Sequence, residues 1–162
     1  AEGIFKNALT SPDNFLMVDQ IVPSSNIEDF LPYFNDIKIF LVDRDPRDLY
    51  LSEKYVWHEG VVPASPEEFV EWYKYCRKDQ KRYIENENVC FLRFEDMIYD
   101  YENTKRKIVR FAGIDEERHV NPLSKFNPEI SKKNTKLYLK YPQEKENIKI
   151  IEERLSEYLY NS

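Results

Sequence analysis

Arg44 and Ser52, eight positions apart, bracket a helix start in the stretch I-K-I-F-L-V-D-R-D-P-R-D-L-Y-L-S from Ile37 to Ser52. An arginine offers a permanent charge on a planar fork that matches phosphate oxygens, and a serine adds a hydroxyl donor. Ser52 lies roughly 9 Å along the helix from Pro46 at about 1.5 Å per residue, so a long arginine and this hydroxyl can converge on one phosphate. A second group of cations follows at Lys132, Lys133, Lys136 and Lys140, with Asn134 among them and no acid between Glu129 and Lys140. In a chain of net charge −6 this is a local exception and a candidate anion-binding loop. Proton transfer needs a different group. Asp19, at the end of F-L-M-V-D-Q, stands where a general base could work, and so does His58, a few residues beyond the Arg44 helix. Each group has a plainer reading as well. Arg44 can pair with Asp43, Asp45 or Asp48, the lysines can form a solvated face, Asp19 can cap a turn, and His58 can sit at a core edge.

The elements that must hold these groups are written in the apolar pattern. Ile37, Ile39, Phe40, Leu41 and Val42 suit a buried parallel strand. Asp45 is a good N-cap, Pro46 fits the first helical position, and Asp48 adds a negative charge to the first turn. In open α/β sheets ligands collect at the carboxyl ends of strands, where helix N-termini favour anions. Upstream, Phe15 to Val18 predicts a short strand, Pro23 to Ser25 a turn, and Asn26 the cap of a helix carrying Ile27, Phe30, Leu31 and Phe34. Downstream, Ser65-Pro66-Glu67-Glu68 opens a helix whose apolar positions extend it to about Asn86. Val89 to Phe94 predicts a second buried strand, ended by Glu95-Asp96 and followed by a helix that stops at Gly113. Residues 114 to 130 read as a short helix mixed with loop, and a last helix starts at Pro142 with Ile148, Ile151 and Leu155 on one face. Strands alternating with helices predict one α/β domain over residues 1–162 with a parallel sheet.

Composition narrows the function classes. Only three glycines occur, so the chain has no glycine-rich phosphate loop. The negative balance disfavours a sequence-independent grip on nucleic acid, though a few local cations suffice for a small nucleotide. No apolar run approaches the roughly 20 residues that span a bilayer, and no signal peptide opens the chain. Cys76 and Cys90 lack metal-ligand spacing and read as buried free thiols of a reducing cytoplasm.

In order and spacing these segments resemble the cytosolic-type sulfotransferases, which transfer a sulfuryl group from 3′-phosphoadenosine 5′-phosphosulfate. The family's 3′-phosphate motif, an apolar strand followed by Arg-Asn/Asp-Pro-x-Asp and a serine eight residues after the arginine, is similar to Arg44, Asp45, Pro46, Asp48 and Ser52. Its Tyr-Glu-Asp strand end resembles Phe94-Glu95-Asp96, with phenylalanine in place of the tyrosine beside the adenine. The S-x-K-N-x-G-x-W loop of bacterial members resembles Ser131 to Tyr138. Lys133 and Asn134 match there, while Lys136 replaces the glycine and Tyr138 the tryptophan. The resemblance runs from about Phe15 to Tyr160. It implies a three-layer, P-loop-hydrolase-like core with a short parallel sheet between helices. It also implies a 3′-phosphate held by Arg44 and Ser52 with help from Lys132, Lys133 and Asn134, the adenine beside Phe94, and Asp19 as a base by its order in the chain.

The resemblance further implies in-line transfer to a hydroxyl of a carbohydrate or small-molecule acceptor, with no metal required. The family's glycine-containing loop for the 5′-phosphosulfate has no counterpart here. That absence predicts a chain lacking the N-terminal portion of a larger domain, with weak donor binding by these residues alone. Two rivals stay open: a nucleotide or small-molecule kinase of similar core, which would need Mg²⁺ ligands, and a non-catalytic binding or scaffold domain of the same fold.

Overall fold

A computed structural model of the chain describes residues 17–19, 24–34 and 36–161. Its centre is a two-stranded parallel sheet of β1 (Ile39–Asp43) and β2 (Val89–Arg93), in register Ile39↔Val89 through Asp43↔Arg93. The β-branched and aromatic runs form the paired strands, but the second face is covered only in part: Val42, expected to be buried, is half-exposed near the strand's end. One face carries Ile39, Leu41 and Val89 against Ile27 and Tyr83. On the other, Phe40 meets Phe111 edge to face at 5.1 Å. The expected α/β arrangement of a short parallel sheet flanked by helices is what forms.

Helix starts follow their caps closely. Helix α1 (Pro46–Ser52) opens on the Asp45 side chain, which accepts from the Arg47 N–H, and passes into a π-helical turn over Glu53–Trp57. Helix α2 (Pro66–Arg77) opens on Ser65, whose hydroxyl accepts from the Glu68 N–H. It ends nine residues short of the expected Asn86, because the chain turns through a 3₁₀ segment, Gln80–Tyr83, to enter β2 although the helical spacing of apolar residues continues. The single helix expected after β2 is two, α3 (Asp96–Tyr99) and α4 (Tyr101–Ala112), broken where Asp100 leaves helical geometry; Gly113 ends α4 at φ 66°. A short α5 (Pro128–Ser131) and a final α6 (Lys145–Arg154) complete the chain, the latter preceded by a 3₁₀ turn at Pro142–Glu144.

The N-terminal expectations fare less well. The helix predicted after Asn26 is two 3₁₀ turns, Ile27–Asp29 and Leu31–Tyr33. Asn26 makes no side-chain cap there, and Pro32 removes an N–H that a continuous helix would use. Of the strand predicted at Phe15 to Val18, the first two residues lie outside the described ones, as does Pro23 of the predicted turn. Met17 and Val18 are exposed and not in a strand. The larger core cluster joins Tyr50 and Leu51 of α1, Phe69, Val70 and Tyr73 of α2, Leu137, and Ile148, Ile151 and Leu155 of α6 and its end. It therefore seats α1 and the segment around Leu137 on the same support. Both expected free thiols are present, Cys90 buried and Cys76 half-buried. No described helix is long and apolar enough to cross a membrane.

Candidate functional site

The turn after β1 is fixed from both sides. The Asp45 N–H donates to Glu95 Oε1 at 2.7 Å, tying the ends of the two strands together, and the Tyr73 hydroxyl of α2 donates to the Arg44 carbonyl at 3.0 Å. On this anchored backbone the Arg44 guanidinium lies 5.3 Å from the Trp57 ring centroid and 4.9 Å from that of Phe94. Its Nη2 donates to the Asn134 carbonyl at 2.5 Å, and its buried Nε has no hydrogen-bond partner among the described residues. Among the described residues no carboxylate forms an ion pair with it. Asp43 is taken by Arg77 at 2.8 Å, Asp45 by Arg47 at 2.6 Å, and Asp48 by two backbone N–H groups. The ion-pair reading of Arg44 is thereby set aside. Burial holds the guanidinium below its ordinary pKa, against the fields of Asp48, Glu95 and Asp45 that favour its charge.

The cationic loop is held against the same turn. Asn127 caps α5, a 3₁₀ turn covers Lys132–Asn134, and Lys136 takes the left-handed conformation at φ 53°. Asp48, only 2% exposed, accepts from the Lys136 N–H on Oδ2 and the Leu137 N–H on Oδ1, both at 2.7 Å. Burial, reinforced by neighbouring Asp45, pushes its carboxyl up to about 6, while the two N–H bonds and Arg44 pull the other way. Tyr99 and Thr135 join hydroxyls at 2.6 Å. A cavity of about 10 Å³, room for one water, lies among Asp45, Asp48, Glu95, Tyr99, Thr135 and Tyr160. Glu95 Oε2 is buried without a hydrogen bond, and burial raises that carboxyl's pKa.

Of the residues singled out by sequence, Arg44, Phe94 and Asn134 meet directly. Lys132 and Lys133 are exposed on the turn that supplies Asn134, and the Lys140 ammonium donates to the Lys133 carbonyl at 2.6 Å. Ser52 is the last residue of α1 and is 1% exposed, further from open solvent than a surface phosphate site would have it. Asp19 sits on an exposed bend, and His58 is exposed at φ 57° after the π-helical turn. The sequence does not single out Asp48 as a loop anchor, nor Tyr99 and Tyr160 as surroundings of the site. Asp48 reads in sequence as a first-turn charge, and its partners lie 88 and 89 positions away, beyond any local pattern. A separate groove of about 560 Å³ runs among Ile84, Phe91, Lys107 and Phe111, reached from β1 by its last residue, Asp43.

With this geometry in place, comparison with known proteins gives a clear family. The family described as the sulfotransferase domain matches residues 28–156, most of the chain, and the protein belongs to that family. Among curated proteins no significant match was found.

Proposed function

We propose that this sulfotransferase-family chain recognises the 3′-phosphate of 3′-phosphoadenosine 5′-phosphosulfate at Arg44 and takes part in sulfuryl transfer to a hydroxyl of a carbohydrate or small-molecule acceptor. The observation that carries the reading is the orphaned Arg44 Nε–H. A buried, permanently charged fork without a carboxylate partner is costly unless an anion completes it, and a phosphate offers charge and acceptors together. The donor would supply the sulfuryl group. Arg44 would hold the ribose-linked phosphate, and Lys132 and Lys133 would offset its charge from the adjoining turn. Phe94 would present an apolar ring to the adenine, and Ser52 would add a hydroxyl once the phosphate has displaced the surroundings that now bury it. Asp19 is proposed as the group that takes the acceptor proton.

Thermal-shift measurement with adenosine 3′,5′-bisphosphate, against ATP plus Mg²⁺, tests the reading. Stabilisation by the bisphosphate alone is the expected outcome. A response to ATP plus Mg²⁺ alone favours the kinase reading, and no response to either leaves a scaffold.

A further inference from the structure

Lys136 in the left-handed region and Leu137 in the right-handed one place two successive N–H groups in a backbone concavity of the kind that binds anions. Here the anion is internal, the Asp48 carboxylate with one oxygen on each N–H. Two residues earlier in the same loop, the Asn134 carbonyl takes the Arg44 guanidinium, and the residue between them is joined to Tyr99. Consecutive loop residues are thus fastened to three different elements, and the anionic fastener is Asp48. We infer that Asp48 is a positioning residue for anion recognition: by filling the backbone concavity at Lys136 and Leu137 it holds the Asn134 carbonyl against Arg44, and so sets how the guanidinium is presented to a 3′-phosphate.

The inference rests on the proposed donor reading and adds a residue that acts only through others. Asp48 touches no ligand in this scheme. Its burial keeps its oxygens from open solvent, two N–H groups already hold them, and its own negative charge would repel a phosphate. Its contribution is geometric. The carboxylate fixes the loop, the loop carbonyl orients Nη2, and the unpartnered Nε then faces a defined direction.

Amide hydrogen exchange and ligand discrimination test this on the full chain. In Asp48→Asn the amides of Lys136 and Leu137 are expected to exchange at least about tenfold faster, because an amide cannot accept both N–H groups through equivalent oxygens. The preference for adenosine 3′,5′-bisphosphate over adenosine 5′-monophosphate, which lacks the 3′-phosphate, is expected to fall at least about tenfold. A general loss of packing would weaken both ligands alike. Asp48→Glu keeps the charge and shifts the oxygens by one methylene; it is expected to stay folded and still lose the preference, which keeps the test decisive if Asp48→Asn does not fold. In Asp48→Ala, added formate is expected to restore part of the Lys136 and Leu137 protection, with no effect on the wild type. Unchanged protection and unchanged preference in folded Asp48→Asn or Asp48→Glu would overturn the inference. A wild-type chain with no preference for the bisphosphate overturns the donor reading and the positioning role with it, whereas the exchange data still judge the clamp itself.

Discussion

Arg44 and Arg47 stand three positions apart on either side of one helix start, both nearly buried, and the structure treats them oppositely. Arg47 is fully committed. It donates twice to Asp45 and once to Glu152, and its guanidinium lies 3.9 Å from the Tyr138 ring centroid. Although burial works against its charge, the hydrogen bonds and field of Asp45 hold its pKa above the ordinary arginine value. Arg44 has one carbonyl partner, two aromatic neighbours, and a pKa held below that value by burial. The same side chain is a structural brace at one position and an unfinished anion site at the other. The difference lies in where the acids went: Asp45 turned to Arg47, Asp48 to the loop, and Asp43 to Arg77.

The largest effect is expected at Arg47. Arg47→Ala strips Asp45, whose side chain is 3% exposed, of the one ionic partner it has among the described residues. Removing one member of a buried pair costs about 3–5 kcal/mol, so urea unfolding should show a large loss of stability. A loss below about 1 kcal/mol would mean that Asp45 finds other partners and that the brace is not one.

Next in size is a pH effect at Asp48. Its carboxyl is raised from 3.8 to about 6, so the folded chain binds the proton more tightly than the unfolded one. The stabilisation this gives is complete below pH 3.8 and is lost as pH rises through about 6. Asp48→Asn removes this dependence, and the wild-type minus variant difference in unfolding free energy should fall by about 2–3 kcal/mol across that window. A flat difference would show that Asp48 is not the buried acid described here. In the background of Arg44→Met the midpoint should move further up, since Arg44 is one of the groups that pull it down.

How far sequence reached can be read from the same residues. The strand, cap, proline and helix around Arg44 are local devices, and they formed within a residue or two of expectation. The meeting of Arg44, Phe94 and Asn134 followed from placing two strand ends and one loop at a common edge. The partners of the acids could not be read that way. Asp43, Asp45 and Asp48 are equal candidates for Arg44 in one dimension. Arg77, Arg47 and the Lys136 and Leu137 N–H groups won them through contacts of sequence separation 34, 2, and 88 to 89. The overlong α2 has a similar cause: periodicity continued past Arg77, but the chain had to turn back to pair β2 with β1.

A smaller effect sharpens the Arg47 side. The Tyr160 N–H donates to Asp45 Oδ2 at 3.0 Å and its hydroxyl donates to Asp96 Oδ1 at 2.8 Å. Burial, then the bond to Asp96, pushes the phenol up to about 12. Tyr160→Phe keeps the backbone bond and deletes the one to a charged acceptor, a loss of about 1–2 kcal/mol by urea titration. An unchanged midpoint would place the C-terminal segment outside the brace.

The smallest expected change in unliganded stability belongs to Arg44 itself. Arg44→Met removes a buried cation that no carboxylate neutralises, so its desolvation cost disappears along with its bond to the Asn134 carbonyl. The thioether can occupy the space between Trp57 and Phe94 and contact both rings. These terms oppose one another, and the unfolding free energy should stay within about 1 kcal/mol of wild type. The bisphosphate response should behave otherwise, with affinity falling at least about tenfold for want of the charged fork. Stability and binding would then separate at Arg44 while Arg47→Ala loses mainly stability. If Arg44→Met unfolds as readily as Arg47→Ala, the guanidinium is a brace after all, and the unpartnered Nε is not a ligand's place.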